Sequence, residues 1–323
     1  MRKGFTLAES ATHPGTKSGA GCVMQHNVRK RAFTLAEVLI TLGIIGVVAA
    51  LVMPSLIANY KDKVYDTARK KAWSTIGQAV RVITVNGGIS GATDAQDFVE
   101  NHLREQIKIL KTCDNANLRS CGIETNTNAI KTLAGTSTTM PKQFHSLASG
   151  VDTEATPNTN SYGFVMSNGY SVNLFYNPKC MPDDTVSSWH YVQDRVCVNA
   201  IYDMNGLGRP NQVGKDIGFV TVIYPDESSV AYAPNVVKED AAYSSDFNNA
   251  PQACTDQNPD YSVPNRDELL AMYMNMNILG MPSAHYWSAS EASPELAWRQ
   301  SFYYGGRGLN DKTTTVNVRC VRR

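Results

Sequence analysis

Residues 38–57 read VLITLGIIGVVAALVMPSLI, 20 positions without a charge, and a helix needs about 20 consecutive apolar residues to cross the hydrocarbon core of a bilayer. Everything else in the chain has to be arranged around that segment. Arg29, Lys30 and Arg31 lie just before it. The positive-inside rule therefore keeps the N-terminus cytoplasmic and sends the C-terminal bulk across the membrane. A removable secretory signal is the competing reading, but its apolar region is only about 7–15 residues long and ends at a small-residue cleavage site. Here the run is longer and continues into more helix.

Beyond Asn59, residues Val64, Ala68, Ala72, Ile76, Val80 and Ile83 recur at helical spacing between Lys61, Asp62, Lys63, Asp66, Arg69, Lys70 and Lys71, the pattern of an amphipathic helix. Asn86-Gly87-Gly88 ends it. One helix is thus predicted over 33–85, about 80 Å long at 1.5 Å per residue, half in lipid and half against a folded domain. Pro54 removes one backbone hydrogen bond inside it and predicts a kink or a local loosening. Glu37 places a carboxylate at the edge of the apolar span, where an ionisable group marks function by default. Snorkelling to the cytoplasmic headgroups is the plain alternative.

The segment RKRAFTLAEVLITLGIIGVVAALVMPSLI, residues 29–57, resembles the prepilin cleavage and methylation segment of type IV pilins and type II secretion pseudopilins. The resemblance rests on the basic leader, Phe33 after the cut, Glu37 four places later and Pro54 in the helix. It implies that prepilin peptidase cuts between Ala32 and Phe33 and methylates the new amine. It also implies that Glu37 pairs with the N-terminal amine of a neighbouring subunit, which would partner the buried charge. Ala32 stands where the family usually has Gly. A second departure is KGFTLAES at residues 3–10, which copies the motif but runs into polar ATHPGTKSGAG. Residues 1–32 therefore read as a leader, either with a duplicated remnant at its start or with translation beginning at Met24 and giving MQHNVRKRA.

Thirty Lys plus Arg stand against 29 Asp plus Glu, a net charge of +1, so no whole-protein field favours nucleic acid. Only 18% of residues are charged, and the abundance of Asn, Ser, Thr, Gly and Tyr suits polar β-rich domains outside the cell. Of seven cysteines, Cys22 alone precedes Phe33. The six others are expected to pair in order, Cys113 with Cys121, Cys180 with Cys197 and Cys254 with Cys320, although six cysteines permit many other connectivities. No CxxC and no His at zinc-ligand spacing accompanies them. Disulfides in an oxidising compartment are favoured over metal or redox chemistry, with reduced, buried thiols as the alternative.

After a helix predicted at 94–110, SYGFVMSNGYSVNLFY reads as two strands around Ser167-Asn168-Gly169, where Asn-Gly suits a tight hairpin turn. Two more strands are predicted near 195–202 and 217–224. A long helix followed by an antiparallel sheet resembles the pilin architecture, with the sheet packed on the polar half of the helix. The fold class is α+β. Between the last two strands, Asp203, Asn205 and Asp216 offer oxygens near Gly206 and Gly208. The loop resembles the calcium-binding loops of some pseudopilins, though it is short of carboxylates, and an Asx-turn loop is the competing reading.

From about Pro251 the composition changes. VPNRDELL, YWSASE, AW and the final VRCVRR resemble bacterial C-type-lectin-like surface domains, in which a cysteine pair brackets the domain as Cys254 and Cys320 would. The resemblance implies binding of a glycan or a surface. Trp287, Trp298, Tyr303 and Tyr304 are the candidate stacking faces, and Arg299, Arg307 and Arg322 the candidate anion contacts, with aromatic core packing as the alternative. The predicted organisation is a leader at 1–32, a transmembrane and amphipathic helix at 33–86, a pilin-type globular domain at 87–250 and a lectin-like module at 251–323.

HExxH, GxSxG, P-loop and Rossmann signatures are missing from the sequence, so an enzyme is not predicted. The expectation is a structural subunit, minor by its size, of a type IV pilus or type II secretion pseudopilus. It would be a single-pass inner-membrane protein before assembly, with an extracytoplasmic globular part, and its partners would be prepilin peptidase and other pilin subunits. The alternatives are a filament-mounted or membrane-anchored adhesin and a surface protein that never polymerises.

Overall fold

The computed structural model describes residues 34–87, 89, 91–142, 160–178, 180, 195–224, 230–240 and 245–323. The expected cut between Ala32 and Phe33 and the start at Met24 lie outside the described residues. The chain divides between Leu56 and Ile57, while helix α1 (Leu35–Val85) is continuous for 51 residues and passes through Pro54. Its first half exposes Leu39, Ile45, Leu51 and Leu56, and by length and composition the helix is able to cross a membrane. Thr41 Oγ1 donates to the Glu37 carbonyl at 2.9 Å and Ser55 Oγ to the Val52 carbonyl at 2.9 Å. Both hydroxyls are therefore satisfied within the helix, as an apolar surrounding would require.

Within Ile57–Arg323, the second half of α1 buries Ala68, Ala72, Ile76, Ala79, Val80 and Ile83, which are the predicted stripe with Ala79 added and Val64 left exposed. The next helical segment is broken into α2 (Ala95–Asp97), a wider π-type turn at Phe98–Leu103 and α3 (Arg104–Gln106). It stops short of the predicted end at 110 because Ile109 and Leu110 enter β1 (Ile109–Cys113). The short strands β2 (Ile130–Lys131) and β3 (Ser137–Thr138) pair with each other. Then come β4 (Tyr162–Met166), β5 (Ser171–Tyr176), β6 (Val196–Asp203), β7 (Ile217–Ile223) and β8 (Val230–Tyr232). A six-stranded antiparallel sheet results, in the order β1-β4-β5-β6-β7-β8. The β4–β5 hairpin turns where Asn168-Gly169 predicts it, with Gly169 at φ 88°.

One face of this sheet takes the helix. Val172, Leu174, Val198, Ala200, Val220 and Val222 share a core with Ala72, Ile76 and Val80. Small side chains on α1 permit a close approach at the sheet edge, where a Cβ at Gly77 would stand 2.6 Å from the Ala231 Cβ. There Trp73 Nε1 donates to the Ala231 carbonyl at 3.0 Å and Arg69 Nη1 to the Ala233 carbonyl at 3.0 Å.

The other face is covered by the C-terminal segment. After β9 (Asn235–Asp240) the chain forms α4 (Ala250–Thr255), β10 (Tyr261–Ser262), α5 (Arg266–Met274), α6 (Met276–Leu279), β11 (His285–Glu291), β12 (Leu296–Ser301), β13 (Arg307–Asp311) and β14 (Arg319–Arg322). Asn265 and Glu268 close a capping box that starts α5, and every residue from Leu269 to Met274 is buried. These side chains share a core with Phe175, Ile201, Phe219 and Ile223, which is why β5, β6 and β7 are buried along their whole lengths. The boundary expected at 251 thus falls inside one compact unit. β9, which precedes it, pairs with β14, and Asp240 meets Arg319 at 2.5 Å across that pair.

Two polar clusters bind this segment to the sheet. Asn275 Nδ2 reaches Asn199 Oδ1 at 3.1 Å, Thr221 Oγ1 at 3.2 Å and the Ala271 carbonyl at 2.8 Å, all buried. A buried network of this kind specifies one docking geometry because any shift strands its members without partners. Asp267 is flanked by Arg195 at 3.1 Å and Arg307 at 2.8 Å. Burial alone would raise its pKa, but the two guanidiniums outweigh it and hold the carboxyl below its ordinary range.

Candidate functional site

Thr34 begins α1 with a reciprocal cap. Its backbone N–H and its hydroxyl both donate to Glu37 Oε2 at 2.9 Å, while the Glu37 N–H donates to Thr34 Oγ1 at 3.2 Å. This is the T-x-x-E capping box, legible in Thr34-Leu35-Ala36-Glu37 but unused in the sequence reading, which treated Glu37 as an isolated charge. The consequence for the site is orientation. Oε2 is engaged with Thr34, whereas Oε1 has no hydrogen bond among the described residues. Among the described residues one carboxylate oxygen therefore stays available to a cation, on a residue four positions after Phe33 in the sequence.

The loop between β6 and β7 uses its acidic residues on itself. Asp216 accepts the Gln212 and Asn211 N–H groups, both at 2.8 Å, and Asp203 Oδ1 accepts the Asn205 N–H at 3.0 Å. Asn205 Nδ2 donates to the Arg209 carbonyl at 3.1 Å. Of the carboxylate oxygens only Asp203 Oδ2 is buried without a partner. That donor set falls short of the about six to eight oxygens that calcium takes, and the bonds made are those of Asx turns.

Burial pushes the Asp203 carboxyl up to about 7, with the N–H groups of Asn205 and Gly206 opposing the rise and the Asp216 charge adding to it. An unfolded Asp titrates near 3.9, so the folded state holds this proton more tightly. Its stabilisation is complete below about pH 4 and is lost as pH rises through about 7. Thermal melts from pH 5 to 8 should therefore show wild type losing Tm relative to Asp203→Asn, with the variant the more stable of the two above pH 7. Parallel curves would remove the buried proton from the account.

The C-terminal candidates do not converge. Trp287 is fully buried, donates Nε1 to the Ser245 carbonyl at 2.9 Å and packs edge-on against Phe247, so it offers no face to a ligand. This corrects its assignment as a stacking residue. Trp298 is half-buried under the Arg266 guanidinium, 5.1 Å from its ring. Arg299, its neighbour on β12, points to the opposite face and donates Nε to Asn310 Oδ1 at 2.8 Å. Arg307 is committed to Asp267. The aromatic surface that is exposed lies beyond β12, where Tyr303 is 61% and Tyr304 38% accessible beside His285.

The structure joins Cys113 to Cys121, Cys180 to Cys197 and Cys254 to Cys320, the sequential pairing. The first closes the turn after β1, and the third ties α4 to β14, the central strand of the sheet β10-β14-β9.

Residues 27–53 match the family model of the prokaryotic N-terminal methylation motif. The match spans the basic residues, the expected cut and Glu37. No curated protein matches the chain significantly. The chain thus carries a prepilin-type methylation motif whose acidic residue is set in the first turn of a helix long and apolar enough for a membrane.

Proposed function

We propose that this protein is a non-catalytic structural subunit of a type IV pilus or a type II secretion pseudopilus, cut by prepilin peptidase between Ala32 and Phe33 and N-methylated on Phe33. The observation that carries the reading is the methylation motif at 27–53 laid over the start of α1. A helix exposed and apolar at its beginning and buried under a sheet at its end suits a subunit that waits in the inner membrane and later packs its helix among others. At 323 residues it is large for a subunit repeated along a filament. We place it as a minor subunit, at or near the tip.

Mass spectrometry of the N-terminal peptide, from cells with and without prepilin peptidase, tests this directly. N-methyl-Phe33 should be present in the first and absent in the second. An N-terminus at Met1 or Met24 in both strains would leave a permanently anchored surface protein instead.

A second reading, an adhesin mounted on the filament or the membrane, is favoured by the exposed Tyr303 and Tyr304. Aromatic faces of this kind stack on sugars. Tyr303→Ala with Tyr304→Ala should then abolish glycan-array binding by the intact protein while leaving its assembly unchanged, and retained binding would sink the adhesin reading.

A further inference from the structure

In the unit Ile57–Arg323, a cleft of about 840 Å³ opens between the turns of α1 that follow the apolar run, the start of β7, the link from β8 to β9 and the C-terminal Arg322-Arg323 pair. Its lining is partly apolar, with Phe219, Tyr202 and Leu279, and its rim is cationic. The rim charges are unequally answered. Asp66 is bound by Arg69 at 2.7 Å and Lys70 at 2.8 Å, and Arg323 reaches Glu268 at 3.1 Å. Lys63, Lys215 and Arg322 line the same cleft with no ion pair among the described residues, and Asp62 is the one unpaired aspartate facing them.

Three cations from three separate elements, brought to one cleft with Asp62 as the one unpaired carboxylate in its lining, outnumber that counter-charge and repel one another unless an anion joins them. We propose that this cleft binds a phosphate-bearing anion, the headgroup of an acidic phospholipid. The chemistry follows from the cations, and only the source of the phosphate rests on the membrane reading of 38–57. Lys63 lies six residues beyond Ile57 on the same helix, which is about 9 Å at 1.5 Å per residue. Headgroups extend roughly 5–8 Å beyond the hydrocarbon core, so the first cation of the rim comes within side-chain reach of that layer. Beneath the cations, the apolar part of the lining suits the glycerol and the first acyl carbons better than a bare ion. The sequence reading marked Arg322 as an anion contact but grouped it with Arg299 and Arg307, which have partners elsewhere. Lys63 and Lys215 carried no local signal, since only the fold places them beside it.

The test uses the full chain in an uncharged detergent with dihexanoyl phosphatidylglycerol and dihexanoyl phosphatidylcholine as probes. Wild type should bind the anionic lipid at least tenfold more tightly, with the preference fading as salt is raised. Lys63→Gln with Lys215→Gln and Arg322→Gln should abolish the preference. The exposed pair Lys71→Gln with Arg81→Gln, which does not line the cleft, should retain it. An unchanged melting temperature in the triple variant, whose three side chains are exposed, shows that the fold is intact. Competition by inorganic phosphate or glycerol phosphate at equal affinity upholds the anion site and makes its ligand soluble. Equal binding of both lipids by wild type, or a preserved preference in the triple variant, overturns the proposal. Neither result depends on processing or filament assembly, which the N-terminal peptide reports separately.

Discussion

If the protein assembles as proposed, with Glu37 paired to the N-terminal amine of a neighbouring subunit, Glu37→Ala is expected to leave it in the membrane fraction and to lower its content in sheared filaments by more than about tenfold, because a carboxylate in an apolar span is costly without a partner. Glu37 also caps its own helix through Thr34, and loss of the cap alone could mimic loss of the pairing. Glu37→Gln separates the two. Gln serves in a capping box as Glu does, so it keeps the helix start and removes only the charge. If pairing with the N-terminal amine drives incorporation, Gln should fail nearly as completely as Ala. If Gln restores incorporation, the residue acts through the cap. Thr34→Val provides the converse, since it removes the hydroxyl and leaves the carboxylate. Normal incorporation of both Glu37 variants, measured by immunoblot of the sheared fraction against the membrane fraction, would end the assembly role.

The parts of the fold set by local pattern were legible in the sequence. The apolar run, the stripe from Ala68 to Ile83 and the Asn168-Gly169 hairpin need only neighbours within a few residues, and all appear in place. Sequential cysteine pairing is one of many connectivities that the sequence permits, and the structure selects it. What escaped the reading was tertiary. Strands β5, β6 and β7 carry apolar residues on both faces, Phe175 opposite Leu174 and Phe219 opposite Val220. That doubled pattern announces a second covering layer beyond the helix, but it does not say that α5 supplies it. The end of the helix at Gln106 was missed because Ile109 and Leu110 fit a helical period as well as a strand, and pairing with β4 decided between them. Trp287 was misassigned because an aromatic residue in a short strand has the same sequence signature whether it faces ligand or core. Only its bond to the Ser245 carbonyl tells which.

Removing the Cys254–Cys320 bond should have the largest effect on stability. Its ends are 66 residues apart, and closing a loop of that length lowers the entropy of the unfolded chain by an amount worth about 4 kcal/mol at 25 °C. The Cys113–Cys121 bond, with a separation of 8, is worth about 2.5 kcal/mol by the same relation. Cys254→Ala with Cys320→Ala should therefore lower Tm by roughly 10 °C in a unit of this size, and by more than Cys113→Ala with Cys121→Ala. Both sulfurs of the longer bond are buried, in a core with Phe247, Trp287 and Val318, so lost packing adds to the entropic term. The shape of the melt carries a further conclusion. Residues 251–323 form one face of the core around Ile201 and Phe219 and are locked to it through Asn275, so they cannot leave without exposing the central sheet. Calorimetry of the variant should show one transition, displaced downward. Two transitions would mean that the segment after Pro251 unfolds by itself, as a module in its own right, and that the shared core does not couple it to the sheet. A Tm change below about 2 °C would mean that the unfolded chain is already held compact without the bond, since the loop-closure term acts on that state alone.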